Sequence, residues 1–409
     1  MAERASAAER RFWFAERVRP GAPAAIAFGR VRVDGPVREA ELRAAVRAVV
    51  ARHPALRTAF AVAGGDLVRE ERDVPRDVLR VLPAGTTPDR ACGELAARPF
   101  DLAAGRVFRA ALVPDGQGAV PVPGADLHLA VHHAVFDGLS EEVFTADLAR
   151  AYGVALAGGV PALPQRPRLP AADPDDARAE RLAAYWREAL AGAGDLPDGG
   201  VGLGLRDLAE DRLVEAPLTC EPAPVREAAR RLSCSPFAVL LAAYGRALAE
   251  LTGVADFCVG TAVAVRPPGA EDEVGCALNM LPIRVRDPRG PGAVTRVWTA
   301  LVGALGHADL PFDRIVAAAR PGRGRRMPVY QASFAFQSWT RARHRAGPAV
   351  LRSVPVPQRG LQTELLLELR DEGERWRGQV QAVSRSWWAT RLPDLAAAFR
   401  RALAETTTS

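Results

Sequence analysis

The residues best suited to chemistry are two adjacent histidines followed by an aspartate, in the stretch Val131-His132-His133-Ala134-Val135-Phe136-Asp137-Gly138. An unperturbed imidazole has a pKa of about 6.5, which suits His133 to accept and return a proton near neutral pH. Asp137, beyond a turn, is placed to hold the loop through a charged hydrogen bond, and Gly138 leaves room for a substrate's close approach. The pattern therefore indicates acid–base chemistry centred on one histidine.

Other interpretations of the histidine pair have different requirements. A zinc site needs further Cys, His or carboxylate ligands at short spacing, whereas His53, His307 and His344 are isolated, so we predict no metal. A Ser-His-Asp hydrolase needs a nucleophile elbow such as GxSxG, and the chain has none. Packing is the remaining alternative, because unusual ionisable residues mark function only probabilistically.

A strand and a helix must position this stretch. Residues 126–131 alternate apolar and other side chains, which is the period-two pattern of a half-buried strand. If that alternation holds to its end, His132 and His133 point to opposite faces, and only one of them enters a given cavity. Ser140, followed by two glutamates, predicts the start of the next helix.

The rest of the chain mixes helices and strands. Apolar periodicity predicts helices over 37–51, 178–190 and 235–251 and a strand over 256–265. The first helix should end at Arg52-His53-Pro54, because the residue before a proline is pushed out of the α region. A Pro- and Gly-rich stretch over 158–176 predicts a linker.

Length makes two subdomains the default, because single cores stop growing at roughly 250 to 300 residues and the chain has 409. We predict an α/β protein with an N-terminal lobe over 1–160, a linker over 161–176 and a C-terminal lobe over 177–409.

The net charge of +6 reflects an excess of arginine, since the chain contains no lysine. Apart from clusters at 323–326 and 341–345 the charge is spread along the chain, which argues against nucleic-acid binding. A mildly basic surface would help to recruit an acidic protein partner.

No apolar run approaches the roughly 18 to 20 residues that cross a bilayer, and the N-terminus lacks a signal-peptide pattern. We therefore expect a cytoplasmic protein with no membrane contact. Five cysteines without a CxxC pair argue against disulfides and zinc, and we expect them to be small buried residues.

The histidine stretch resembles the HHxxxDG motif of nonribosomal peptide synthetase condensation domains and their chloramphenicol acetyltransferase-like relatives. Further stretches resemble the family's other motifs in the same order: residues 6–14 (SxAQxRLWF, with Glu9 for Gln and Phe12 for Leu), 52–60 (RHExLRTxF), 99–102 (PFDL), 260–266 (GTPVAxR), 274–284 (VGxxxNTLPLR), 307–313 (HQDVPFE) and 328–337 (PLFQVxFxxQ). The resemblance covers nearly the whole chain.

The resemblance implies two acetyltransferase-like lobes in a V-shaped pseudo-dimer, with a central tunnel and the motif midway. His133 matches the catalytic histidine, with His132, Asp137 and Gly138 in support. Asp137 and Arg284 match a pair that forms a structural salt bridge. We expect five further residues to line the tunnel or contact substrate: Phe136, Ser140, Asn279, Met280 and Gln337.

The resemblance further implies that substrates arrive on the phosphopantetheine arm of acyl or peptidyl carrier proteins, and that the enzyme binds no cofactor of its own. Because the chain ends shortly after a last helix near Leu403, we expect a free-standing, monomeric enzyme of antibiotic or other natural-product biosynthesis that works in trans. Departures such as Phe136, Leu139 and Met280 leave the substrate open.

Four functions fit the resemblance. The first is amide or ester formation from a carrier-bound acyl group, and the second is acyl transfer from acyl-CoA to a small molecule. The third, an epimerase-like relative, typically continues with Trp-Arg after the Ser, whereas Glu141-Glu142 follow Ser140 here. The fourth is a non-catalytic carrier-docking domain, whose motif usually decays, although both histidines and Asp137 are intact here.

Overall fold

The computed structural model describes residues 3–116, 122–171, 173–210, 212–319, 326–338 and 341–408. Of the arginine cluster at 323–326, residues 323–325 lie outside these ranges.

The helices are α1 (Ala7–Val18), α2 (Glu39–Arg52), α3 (Pro88–Ala96), α4 (Gly138–Leu156), α5 (Asp176–Ala189), α6 (Leu205–Glu210), α7 (Pro222–Arg231), α8 (Pro236–Thr252), α9 (Ala293–Leu305), α10 (Phe312–Ala319) and α11 (Leu392–Thr408). The strands are β1 (Glu3–Arg4), β2 (Ile26–Val37), β3 (Thr58–Ala63), β4 (Asp66–Glu71), β5 (Arg80–Val81), β6 (Phe108–Pro114), β7 (Val122–His132), β8 (Leu213–Cys220), β9 (Asp256–Ala264), β10 (Leu278–Arg286), β11 (Ala332–Gln337), β12 (Arg343–Ala346), β13 (Ala349–Ser353), β14 (Leu365–Asp371) and β15 (Trp376–Val383).

The first compact unit comprises residues 1–172, 266–278 and 341–358. Its main sheet has the order β12-β13-β2-β7-β6-β5, and a small sheet has the order β1-β4-β3. Strands β2 and β7 pair antiparallel from Ile26 opposite His132 to Val37 opposite Val122. The late strand β13 belongs to this unit because it pairs with β2 along its length.

The second unit comprises residues 173–265, 279–340 and 359–409. Its sheet has the order β10-β9-β11-β14-β15-β8, with β11 parallel to both β9 and β14. Its core includes Tyr244 of α8, Phe334 of β11 and Leu367 of β14, all almost completely buried. The two units are therefore not contiguous halves of the chain.

The predicted α/β class is confirmed, and several predicted elements are found. Helix α2 ends as predicted, with His53 as its C-cap directly before Pro54. Helix α8 begins with Pro236 behind Ser235, whose hydroxyl accepts a hydrogen bond from Ala238 N. It ends at Thr252 and is capped by Gly253, whose φ of +75° is a left-handed conformation that glycine adopts without steric cost.

All five cysteines are free thiols. Three of them are buried, as predicted, whereas Cys220 and Cys234 are only half-buried.

Within the described ranges, no single helix is both long and apolar enough to cross a membrane. One successive pair, α7 and α8, meets that test only when taken together across a 102° bend.

Candidate functional site

The histidine pair lies at a change of backbone geometry. Strand β7 ends at His132, residues 133–135 form a 3₁₀ turn, and α4 follows with Asp137 as its N-cap. The strand predicted from the alternation is present, but its last residue is His132, so His133 lies outside it. The turn therefore gives the two imidazoles different neighbours.

His132 is completely buried, and its side chain hydrogen-bonds to the backbone of the turn that follows it. Its Nδ1 accepts a hydrogen bond of 3.2 Å from Ala134 N, which leaves the ring proton on Nε2. Nε2 lies 3.5 Å from the Glu16 carboxylate of α1, and the ring meets Phe100 edge-on at a centroid distance of 5.9 Å. These contacts hold the His132 ring between the turn, α1 and Phe100.

His133 keeps part of its surface exposed, while its Nδ1 is buried and has no hydrogen-bond partner among the described residues. Its ring stacks on Phe12 of α1 with a centroid distance of 4.4 Å and an interplanar angle of 5°. Burial is the main cause that lowers the pKa of His133 to about 4, and the positive charge of Arg11 acts in the same direction. The imidazole is therefore neutral at pH 7, with a lone pair available for a proton.

Asp137 is almost completely buried, and its hydrogen bonds hold neighbouring segments of the first unit together. Its Oδ1 accepts hydrogen bonds from Ser140 N at 2.9 Å and Ser140 Oγ at 2.7 Å, which caps α4. Arg266 Nη2 lies 2.9 and 2.8 Å from the two carboxylate oxygens, and Ala277 N donates to Oδ2 at 3.1 Å. Asp137 thus joins the start of α4 to the segment 266–278.

The predicted pairing of Asp137 with Arg284 is wrong. Arg284 binds Asp256 through Nε and Nη2, each at 2.7 Å, and its Nη1 donates to the carbonyls of Ala189 and Ala191. The hydrogen bond to Asp256 is the main cause that raises the pKa of Arg284. Asp137 pairs instead with Arg266, the last residue of the GTPVAxR-like stretch. No local signal in the sequence shows which of Arg266 and Arg284 pairs with Asp137.

Ser140 is not the first residue of the helix, because Asp137 occupies the capping position before it. Ser140 is the third residue of α4 and is completely buried. Its Oγ lies 2.9 Å from Gly275 O and accepts a hydrogen bond from Gly275 N at 3.0 Å. This internal bonding replaces the predicted substrate contact.

Asn279 also has an internal role in place of the predicted substrate contact. Its Nδ2 donates to two carbonyls of the segment 307–313, at 2.8 and 2.7 Å, and its Oδ1 accepts from Phe312 N and Met280 N. All four hydrogen-bonding positions of the amide are therefore used to hold this part of the second unit.

The other predicted contact residues lie in varied surroundings. Phe136 is buried in the core of the first unit, and Met280 is half-buried against the core of the second. Gln337 donates from Nε2 to the Glu368 carboxylate at 2.6 Å, and Gly138 is the exposed first residue of α4. A role in substrate binding for Phe136, Met280 and Gln337 stays a prediction.

Cys276 lies near the Asp137 network but is no candidate nucleophile. Burial is the main cause that raises the pKa of its thiol to about 12, and only the thiolate is strongly nucleophilic. Across the described ranges, no group of three or more His, Cys, Asp or Glu side chains is arranged to hold a metal ion.

Three residues that contact the site were not predicted from the sequence: Phe12, Glu16 and Arg266. Phe12 and Arg266 each lie in a stretch that resembles a family motif, but the sequence does not indicate which side chains they contact. Glu16 follows the first of these stretches and carries no local signal.

A family model described as "Condensation domain" matches residues 4–407. The chain is 31% identical over 369 residues to phosphinothricin tripeptide synthetase PhsC of Streptomyces viridochromogenes, a match that covers 81% of this chain and 32% of that protein. It is 29% identical over 397 residues to isonitrile lipopeptide synthase of Mycobacterium tuberculosis, covering 90% of this chain and 15% of that protein. The chain thus spans a third or less of the length of these relatives.

Solved structures share the fold. The X-domain from teicoplanin biosynthesis has a TM-score of 0.81 at 23% identity, covering 100% of this chain and 96% of that one. An X-domain from the same biosynthesis has also been solved in complex with OxyB. A mutant of the starter condensation domain of rhizomide synthetase RzmA, solved with C8-CoA, has a TM-score of 0.81 at 18% identity, covering 100% and 95% of the two chains.

Proposed function

Because the chain belongs to the condensation-domain family, we propose that it transfers an acyl group from a carrier-protein thioester to an amine or hydroxyl, forming an amide or ester. One observation carries this proposal most directly. His133 is a neutral, partly exposed imidazole held on a turn that is followed by the buried Asp137–Arg266 pair. A base held in this way has its lone pair free and its position defined.

The chemistry assigned to His133 is proton transfer. The lone pair of the acceptor nitrogen or oxygen attacks the thioester carbonyl carbon, and His133 takes the proton that the acceptor loses as the new bond forms. When the tetrahedral centre collapses, the C–S bond breaks and the proton passes to the leaving thiolate. The products are the amide or ester and the free carrier thiol, and the step consumes no oxidant or reductant.

The supporting residues act on position. His132 stabilises the turn through Ala134 N, and Asp137 anchors the first turn of α4 to the segment 266–278. Both carboxylate oxygens of Asp137 already accept hydrogen bonds from groups of the protein. We therefore assign catalysis to His133 alone.

A carrier protein is the donor we favour. The relatives are synthetases of peptide natural products, and the net charge of +6 favours an acidic partner. An acyl-CoA donor is the second candidate, supported by the structural neighbour solved with C8-CoA. A protein-docking role without catalysis is the third, supported by the neighbour solved with OxyB.

The test is intact-mass spectrometry of an acyl-loaded carrier protein incubated with this protein and a panel of amines and alcohols. A parallel series replaces the carrier with acyl-CoA. Loss of acyl mass from the carrier together with a new amide or ester supports the first function and identifies the bond. Turnover of acyl-CoA alone supports the second, and binding of a carrier without turnover of either donor supports docking.

The variant for this test is His133→Ala, with His344→Ala as the control. His344 is half-buried like His133, but it lies on the edge strand β12, which β13 and β2 separate from β7. We expect acyl transfer to be lost in His133→Ala and kept in His344→Ala. Equal activity in both variants would show that His133 is not the base.

A further inference from the structure

Phe12 covers one face of the His133 ring. It is 2% exposed, and the two rings are nearly parallel at 4.4 Å. The family motif that this stretch resembles has leucine at this place, which cannot form a stacked pair. We propose that Phe12 is a positioning residue for acyl transfer, holding the His133 imidazole and stabilising it when it carries the proton. This inference rests on the proposed function of His133.

The helix that carries Phe12 is anchored close to the stack. A capping box joins Ser6 and Glu9 at the start of α1, with Ser6 N donating to Glu9 Oε2 at 2.6 Å. The Glu9 carboxylate also binds the buried Arg69, whose Nη1 lies 2.9 Å from Glu9 Oε1. One turn after Phe12, Glu16 lies beside His132. Phe12 is therefore held in a fixed place relative to the turn.

The electrostatics of the stack favour the protonated ring. The face of a phenyl ring is negative, so it attracts an imidazolium more strongly than a neutral imidazole. Burial and the positive charge of Arg11 oppose protonation of His133, while the carboxylate of Asp137 favours it. Phe12 therefore helps to stabilise the protonated His133 ring without bringing a charge into the buried site.

This attraction is greatest when His133 holds the proton, which happens during the reaction and not when substrate first binds. Removing the aromatic face should therefore lower kcat and leave KM nearly unchanged, because Phe12 acts through His133. A tyrosine at this position keeps the aromatic face and should keep the rate.

The experiment compares Phe12→Leu and Phe12→Met with Phe12→Tyr and the control Phe60→Leu. Phe60 is also 2% exposed and lies in the core of the same unit, so its replacement loses similar packing at a different place in that core. We expect kcat to fall about 3- to 20-fold in the two aliphatic variants, the range of one cation–π contact. Phe12→Tyr and Phe60→Leu should retain wild-type kcat within about twofold, since neither removes that contact.

A second measurement needs no substrate. Diethyl pyrocarbonate modifies neutral imidazoles, and peptide mass mapping follows the rate at His133. We expect faster modification in Phe12→Leu than in wild type or Phe60→Leu, because the ring loses the partner that holds and covers it.

The inference is overturned by equal labelling of His133 in Phe12→Leu and Phe60→Leu, or by an equal fall of kcat in these two variants. If the wild-type protein transfers no acyl group, the proposed function is wrong. Faster labelling of His133 in Phe12→Leu would in that case still show that Phe12 holds the His133 ring in place.

Discussion

Arg266 Nη2 lies 2.9 and 2.8 Å from the two oxygens of Asp137, and the exposed fractions of the two side chains are only 5% and 2%. Arg266 Nη1 donates to the Glu273 carbonyl of the same segment. The aspartate of the HHxxxDG-like stretch is therefore paired within its own unit.

We expect Asp137→Ala to reduce the amount of folded protein, and not to give a folded protein that has lost only catalysis. Removing one side of a buried ion pair leaves an uncompensated charge and costs roughly 3 to 5 kcal/mol of unfolding free energy. Urea denaturation followed by circular dichroism measures the change. The control is Asp66→Ala, because the side chains of Asp66 and its partner Arg4 are 49% and 71% exposed, and an exposed pair contributes about 1 kcal/mol or less. Soluble, cooperatively unfolding but inactive Asp137→Ala protein would contradict this prediction.

Asp137 and Arg266 should be energetically coupled. We expect this from a double-mutant cycle with Asp137→Asn and Arg266→Gln. The double variant should lose about 1 to 3 kcal/mol less unfolding free energy than the two single variants lose in total. The same cycle with Asp137→Asn and Arg284→Gln should be additive within about 0.5 kcal/mol. Coupling to Arg284 and none to Arg266 would show that the pairing expected from the family resemblance operates in solution.

Ser140→Ala should lower stability and leave catalysis of the folded protein intact. The variant leaves Gly275 N without its acceptor in a buried place, at a cost of about 1 to 3 kcal/mol. Thermal unfolding gives the stability, and kcat and KM of the remaining folded protein give the catalysis. A large rise of KM without loss of stability would restore Ser140 as a substrate contact.

Stability should fall as the pH is lowered from about 6.5 toward 4. Burial is the main cause that lowers the pKa of His53, His128 and His133, the last to about 4. These histidines resist protonation in the folded protein, so the unfolded chain binds more protons once the pH falls below about 6.5. For His133 the loss is at most about 3 kcal/mol, and its partial exposure reduces this figure.

Denaturant midpoints measured in small pH steps from neutral pH into this acidic range check the dependence. His133→Asn should show a shallower decline than wild type, because it removes one of the groups that cause it. An equal slope in both proteins would mean that His133 titrates near its ordinary pKa in the folded state.

The sequence alone determined the features that depend on neighbours along the chain. The period-two pattern predicted the strand before His132, and the Pro54 signal predicted the end of α2, because both follow from local backbone and burial preferences. The ordered motif resemblances identified the condensation-domain family and selected His133 as the candidate base.

Only the tertiary structure decided which distant groups meet. Arg266 follows β9 and Arg284 lies within β10, both in motif-like stretches. Only the packing of whole segments brings Arg266 to Asp137 and Arg284 to Asp256. In the same way, Phe12 meets His133 because α1 packs against the turn, although the two residues lie far apart in the sequence. Side-chain pairing across such separations is set by the packing of whole elements, which no local pattern of residue types encodes.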